Sequence, residues 1–382
     1  MTTTVPLIYS FPEFLGVADA VADLVISAQN QTLYNTTDPK QIELIKSGQL
    51  KRPNVFKTNS SLSVAVGLNG GAGAGAGGNG NGNGSGLSHS STGTTTPSHS
   101  PSQSQSGFNL ANLSSPSATN LQQNAKVKKE KKIMKKQEIR FKIAISGGSL
   151  IKILNQGLLK RQEFIEWDKW EIYFADERLV PFASEDSNYG QAERDIFSHI
   201  KGDKKPRIFH IDESLINDPQ EAADDYEKQL IQNFAKKDSV KLPMFDLLLL
   251  GCAPDGHIAS LFPKQGEALR EKLAWCIPVS NAPSGPENRI TLTIPVICHA
   301  ARVVFVVEGL TKAPIIKTIM ERPEKGLPAS IVHEGSAGRV SWFVDDAALN
   351  DLYDITKKKY KYLSIPDPDD DDDDENDEQK EN

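Results

Sequence analysis

The sequence predicts a single α/β domain built on a doubly wound, mainly parallel sheet. Three observations carry that prediction. Short apolar runs bounded by turn residues alternate with amphipathic helical patterns, as parallel strands joined by helical crossovers require. The run Phe245–Leu250 (FDLLLL) is apolar except for Asp246, as a strand buried on both faces must be. It is followed by Gly251 and then Asp255-Gly256-His257. An acid and a histidine therefore fall at the carboxyl end of a buried strand, where an open α/β sheet places its chemistry.

The elements follow in order. Val5–Tyr9 reads as a first strand. Ser10 and Glu13 have capping-box spacing, with Pro12 in the first turn, and predict a helix with Phe14, Val17, Ala18, Val21, Leu24 and Val25 on one face. Gln41–Ile45 adds a short helix. Phe141–Ile145 is a strand, Ser146–Ser149 a small-residue turn, and the chain is helical from there through Leu159. Lys169–Ala175 is a strand ending in Asp176-Glu177-Arg178, Ser187–His199 a helix, and Arg207–Ile211 a short strand. Pro219–Phe234 is an amphipathic helix carrying Ala222, Ala223, Tyr226, Leu230 and Phe234 near one face. After Leu250, Ile258–Phe262 reads as a helix start or a tight apolar loop. Arg289–Ile294 and Val303–Val307 are β-rich, Lys312–Met320 is helical, Arg339–Val344 is a last strand and Ala347–Tyr353 a short helix.

Composition divides the chain. It has 382 residues, of which 38% are hydrophobic, a low share whose deficit is local. Gly70–Gly86 is almost wholly Gly, Ala and Asn, and Ser88–Ser106 is, apart from Gly93, Ser, Thr, Pro, Gln and His. Such a stretch cannot bury enough apolar surface to offset its chain entropy. Residues 58–125 are therefore expected to be a disordered insert. Residues 1–57 are too few to form their own core, so the insert interrupts a domain rather than separating two. The strand and helix of 1–57 join the main part, residues 141–355, across it. Residues 126–140 form a basic run, and residues 356–382 an acidic tail expected to be disordered.

Formal net charge is −7, but the charges are segregated into those two runs. The basic run is compatible with a solvated linker, a nuclear-localisation patch or a nucleic-acid contact. It lacks interleaved aromatics, so base stacking has no support. Three cysteines without CxxC spacing argue against a disulfide framework or a zinc site and for a reducing compartment. The N-terminus lacks the pattern of a signal peptide, and no apolar run is long enough to span a bilayer. A soluble, cytoplasmic protein is expected, with the nucleus as a second location. No metal-ligand pattern, Walker loop, dinucleotide fingerprint or serine-hydrolase elbow occurs, so no cofactor is expected.

Four stretches could carry chemistry. Ser146-Gly147-Gly148-Ser149 sits between strand and helix, where small residues allow close backbone approach and a helix N-terminus favours an anion such as phosphate. Arg178 lies at another strand's carboxyl end and could clamp a phosphate or carboxylate, or fix its loop through an ion pair. Ser187-Asn188-Tyr189 could line the same cleft. His257 suits general acid–base work, with Asp255 two residues away to fix its tautomer. Arg289 and Lys312 are candidates to neutralise an anion at the same sheet edge, although either alone is more often a surface charge.

Taken together, these motifs resemble the 6-phosphogluconolactonase family, whose fold is akin to that of glucosamine-6-phosphate isomerase. The resemblance rests on AISGGSLIKIL (Ala144–Leu154), WEIYFADERLVPF with SNY after it, FDLLLLGCAPDGHIASLFP, NRITLTIPVI (Asn288–Ile297), EGLTKAPII (Glu308–Ile316) and LPASIV with GRVSWFVDDAA (Leu327–Ala348). They run in family order across most of the chain outside the insert and tail. NAPSGP (Asn281–Pro286), the MTTTVP start and the central insert further resemble the fungal Sol-type branch. The resemblance implies hydrolysis of 6-phospho-D-glucono-1,5-lactone to 6-phosphogluconate, a pentose phosphate pathway step, without metal or nucleotide. It implies that Ser146–Ser149, Arg289 and Lys312 hold the phosphate, that His257 activates water with Asp255 orienting it, and that Arg178 holds substrate or stabilises developing charge. The alternative it carries is a lactonase-like protein of weak or no activity, acting in tRNA nuclear export and distribution. The isomerase cousins need an extra acid after the histidine. Here IASLFPKQ offers no carboxylate until Glu267, which favours hydrolysis.

Overall fold

The computed structural model describes residues 7–52, 138–235, 241–353 and 355–363. The predicted insert, most of the basic run and the acidic stretch from 364 onward lie outside the described residues.

Eight strands form one sheet: β1 (Ile8–Phe11), β2 (Phe141–Ile145), β3 (Trp170–Phe174), β5 (Arg207–Phe209), β6 (Leu247–Leu250), β9 (Val303–Val307), β10 (Val340–Asp345) and β11 (Lys357–Lys358). Their order is β11-β1-β10-β9-β6-β2-β3-β5, and every pairing is parallel. Three further strands, β4 (Asp176–Arg178), β7 (Cys276–Val279) and β8 (Arg289–Leu292), form a small antiparallel sheet in the order β4-β8-β7. The sequence reading missed this second sheet. Its strands are short, and β4 follows β3 so closely that the two read as one run.

Alternation along the strands sorts the core into two layers. Ala144, Leu248, Leu250, Phe305 and Trp342 face one side with Tyr226, Leu230, Ile316 and Val332. Ile143, Ile145, Leu247, Leu249, Val304 and Phe343 face the other with Val21, Val25, Leu150 and Leu154. Helices Pro219–Phe234, Ile294–His299, Ala313–Glu321 and Pro328–Gly335 supply the first cover, and Phe14–Tyr34, Ser149–Leu158 and Asn188–Asp195 the second. All four leucines of β6 are fully buried, each contributing about 1.5–3 kcal/mol. Glu171 is buried within β3 because Lys142 Nζ lies 2.6 Å from its carboxylate, with Arg140 and Arg207 nearby.

The first helix departs from expectation. Ser10 is not its N-cap: it pairs with Val344 inside β1, and the helix begins at Phe14 behind Glu13, with no side-chain cap. Ladder hydrogen bonds displace the local capping box. The helix is also longer than its predicted face, ending at Tyr34 where Asn35 turns left-handed with φ 59°. Ile258–Phe262 is a loop, and Ala347–Leu349 is only a 3₁₀ turn.

The predicted tail boundary at 356 also falls too early. Lys357 and Lys358 pair with Ile8 and Tyr9, and Tyr360 packs on Tyr9 and Phe343 with ring centroids 5.2 Å away in both cases. Tyr360 Oη donates to Asp23 at 2.9 Å, and the Leu363 amide donates to the same carboxylate at 3.0 Å. Lysine-rich composition hid this strap, because a two-residue pairing, one aromatic ring and the bonds to Asp23 leave no apolar periodicity to read.

Connectivity locates the site. The chain leaves β2 toward β3 and β5 on one side, and leaves β6 toward β9 and β10 on the other. The carboxyl ends of the adjacent strands β2 and β6 therefore border the topological switch point, where the departing connections leave a crevice.

Candidate active site

A cleft of about 170 Å³ opens at that switch point, walled by Ser146–Ser149, Asp176, Arg178, Gly251–Ala253, His257–Ala259 and Lys312. Its walls come from segments that follow β2, β3, β6 and β9, so residues 166 positions apart in sequence, Ser146 and Lys312, share one space.

The turn after β2 forms one wall. Gly148 has φ +72°, which only glycine adopts without strain, and it opens the Ser149–Leu158 helix with no side-chain cap. The Ile151 amide donates to the Gly148 carbonyl at 3.1 Å, and the Ser149 and Leu150 amides before it are left for an anion. Ser146 Oγ accepts from the Gly251 amide at 2.9 Å and ties together the two turns that flank the switch point. Lys312 is half-buried; its amide donates to the Gly309 carbonyl, while its ammonium makes no hydrogen bond or ion pair with the other described residues.

His257 lies on the opposing loop. Asp255 Oδ1 is 2.7 Å from His257 Nδ1 and also accepts from the His257 amide at 3.1 Å. The loop bends through Gly256 at φ +84° and Ala259 at φ +47°, and the imidazole packs 4.5 Å from the Phe262 ring. Burial pushes the His257 imidazolium below its ordinary range, while Asp255 pulls in the opposite direction. A neutral imidazole that donates from Nδ1 keeps Nε2 as its free acceptor.

The small sheet carries the arginines. Asp176 accepts from Ser260 Oγ at 2.7 Å, and Arg178 Nε lies 3.8 Å from its carboxylate. Arg178 is half-buried and donates from Nη1 to the Asp186 carbonyl at 2.8 Å. Glu177 is buried beneath them and accepts from the amides of Arg178, Asn188 and Tyr189 at 2.7–2.8 Å.

Of the residues singled out in the sequence, the structure brings Ser146–Ser149, Arg178, His257 and Lys312 to one cleft, with Asp255 behind His257. It does not bring Arg289 to the cleft wall. Arg289 is 2% exposed, stands opposite Arg178 in the β4–β8 register, and donates to the carbonyls of Pro286 and Ser284 while lying 5.3 Å above the Phe262 ring. Those contacts hold the Asn281–Pro286 loop in place. Ser187-Asn188-Tyr189 does not line the cleft either.

Sequence reasoning passed over Asp176, the one carboxylate in the wall, and the backbone of Gly251–Ala253. The DER triplet carried the signal for Asp176, but nothing in the sequence told a cleft-facing acid from a loop-fixing one. Glu267 lines a separate concavity of about 500 Å³ beside β7. No cluster of three or more His, Cys, Asp or Glu side chains with metal-binding geometry occurs among the described residues. No helix among them is long and apolar enough to cross a membrane.

Similarity to known proteins agrees with this geometry. Residues 115–342 match the family described as glucosamine-6-phosphate isomerases/6-phosphogluconolactonase. The 6-phosphogluconolactonase-like protein 1 of Saccharomyces cerevisiae is 55% identical over 368 residues, covering 94% of this chain and 97% of its own. The 6-phosphogluconolactonase 3 of the same species is 36% identical over 236 residues, covering 58% of this chain and 88% of its own. A crystal structure of 6-phosphogluconolactonase from Leishmania guyanensis, at 22% identity and TM-score 0.50, covers 61% of this chain and 94% of its own and supports the fold alone. With a family match across more than half its length and a relative that aligns almost end to end, the chain belongs to the glucosamine-6-phosphate isomerase/6-phosphogluconolactonase family.

Proposed function

We propose that the protein hydrolyses 6-phospho-D-glucono-1,5-lactone to 6-phosphogluconate. The observation that carries this reading is the shared cleft, with the His257–Asp255 pair on one wall and an uncapped helix N-terminus with Lys312 on another. A substrate with an anionic end and a reactive carbonyl fits that division.

Each residue then has a task. The Gly147-Gly148 turn, the helix amides and Lys312 hold the phosphate. That fixes the distance from phosphate to lactone carbonyl and presents the carbonyl to His257. Nε2 of His257 takes a proton from water as the water oxygen bonds to the carbonyl carbon. Asp255 holds the imidazole in the required tautomer and stabilises the imidazolium. Arg178 lies close enough to the cleft to offset charge on the carbonyl oxygen. When the tetrahedral intermediate collapses, the ring C–O bond breaks and His257 returns its proton to the leaving oxygen. Glu267, the first carboxylate after the histidine, lies outside the cleft, which favours this course over an isomerisation that draws its extra acid from that segment.

The test compares turnover of the phosphorylated lactone with that of D-glucono-1,5-lactone. The reading requires kcat/KM for the phosphorylated substrate to exceed the other by at least about 100-fold, the worth of a desolvated charge pair. Equal turnover of the two would count against it.

A second reading has one observation in its favour. Relatives that align along nearly the whole chain are named lactonase-like, whereas those named 6-phosphogluconolactonase 3 match 58% of it. On this reading the protein has weak or no turnover and acts in tRNA export or distribution, with the cytoplasm and nucleus as its locations. Deleting residues 58–125 and following tRNA localisation tests it. Unchanged localisation would exclude that role for the insert.

A further inference from the structure

Asn188 belongs to the SNY motif, yet it lies outside the cleft wall and has no task in the chemistry above. It is 1% exposed. Its main-chain amide donates to Glu177 Oε1 at 2.7 Å, and its Nδ2 donates to the Asp176 carbonyl at 2.9 Å. The second bond fixes the orientation of the side-chain amide, because the carbonyl of Asp176 can face only the NH₂ group. The other end of the amide, Oδ1, has no hydrogen-bond partner although it is buried. It lies 1.7 Å from where a side chain on Gly147 would begin, so Asn188 fills the space that a Cβ at Gly147 would take. Gly147 is therefore glycine for reasons of packing, whereas Gly148 is glycine for its positive φ.

Burying an acceptor without a partner costs stability, and apolar filling of the same space would avoid that cost. An asparagine is kept where both its ends act: one on the start of β4, the other on the anion turn. We propose that Asn188 is a positioning residue that sets the spacing between the Gly147-Gly148 turn and the Asp176–Arg178 strand, and so aligns the phosphate-holding wall with Arg178. Glu177 is its anchor, since one buried carboxylate holds the amides of Arg178, Asn188 and Tyr189 together. The proposal rests on the anion-binding half of the functional reading and is independent of whether His257 turns substrate over.

A double-mutant cycle tests it by measuring 6-phosphogluconate binding calorimetrically in the full chain, alongside thermal melting. Asn188→Ala is expected to weaken binding about tenfold, by letting the turn relax into the vacated space. Gly147→Ala alone collides with Asn188 and is expected to weaken binding by about 100-fold or more. The double variant Gly147→Ala/Asn188→Ala gives the new methyl group room and should return to within about threefold of Asn188→Ala. If Gly147→Ala does not fold, recovery of a cooperative melt in the double variant reports the same coupling. Additive losses, a double variant no better than Gly147→Ala, or wild-type affinity in Asn188→Ala would each overturn the proposal. So would a wild-type chain that binds no 6-phosphogluconate. A wild type that binds it without hydrolysing lactone would defeat the lactonase reading while leaving the role of Asn188 standing.

Discussion

His257 Nδ1 lies 2.7 Å from Asp255 Oδ1, and the same oxygen accepts from the His257 main-chain amide at 3.1 Å. One carboxylate therefore fixes both the ring and the peptide that carries it. Burial lowers the imidazole pKa and Asp255 raises it, so the two effects oppose each other at the proposed base. Removing the carboxylate with Asp255→Asn takes away only the raising effect. The low-pH limb of kcat/KM, where His257 gains its proton and stops acting as a base, should then shift to lower pH. The plateau should fall by about 100- to 10,000-fold, because the tautomer is no longer held. A pH–rate profile from pH 4 to 9 measures both; a limb that moves to higher pH would contradict the assignment.

Lys312 should act on binding more than on chemistry. Replacing it with methionine keeps most of the apolar stem and removes the charge. KM for the phosphorylated lactone should rise about 10- to 100-fold with a smaller change in kcat. Steady-state kinetics separate the two, and a loss confined to kcat would place Lys312 at the carbonyl instead.

Burial outweighs three amide donors at Glu177 and pushes its carboxyl from 4.5 up to about 7. The folded chain thus keeps a proton that the unfolded chain has released between those values. Stability from this group is present below pH 4.5 and is lost as pH rises through 7, by an amount of order 3 kcal/mol. Glu177→Gln cannot titrate, so its urea midpoint should vary less with pH across that window. An unchanged slope would show that another group sets the profile.

The C-terminal strap should matter to stability. Tyr360→Ala removes a ring packed on Tyr9 and Phe343, and should cost about 3–5 kcal/mol. Tyr360→Phe removes only the bond to the buried Asp23 and should cost about 1–2 kcal/mol. Urea denaturation of the two variants gives the ratio.

These contrasts show what the sequence could and could not convey. Strands β2 and β9 and the Pro219–Phe234 helix were legible to the residue, because β9 is a continuous apolar run, β2 an apolar run broken only by Lys142, and the helix a clean 3.6-residue pattern. His257 and Asp255 were legible because they are neighbours in the chain. Ser10 misled because its capping pattern is local, whereas the ladder to β10 that overrides it comes from residues more than 300 positions away. Arg289 misled for a related reason. A β-rich run with an arginine at its start looks the same whether the guanidinium faces a cleft or, as here, closes a loop through Pro286 and Ser284. Asn188 was read only as a possible cleft-lining residue, since its neighbour Gly147 lies in another motif and the contact exists only once β2 and β4 are placed.

The most direct test is hydrolysis of freshly prepared 6-phospho-D-glucono-1,5-lactone by the purified chain, read as acid release above the spontaneous rate, for wild type and His257→Ala. Clear catalysis by wild type is expected, with a loss of at least about 100-fold in the variant and 6-phosphogluconate binding retained. Wild-type turnover no faster than the spontaneous reaction, or full activity in His257→Ala, would contradict it.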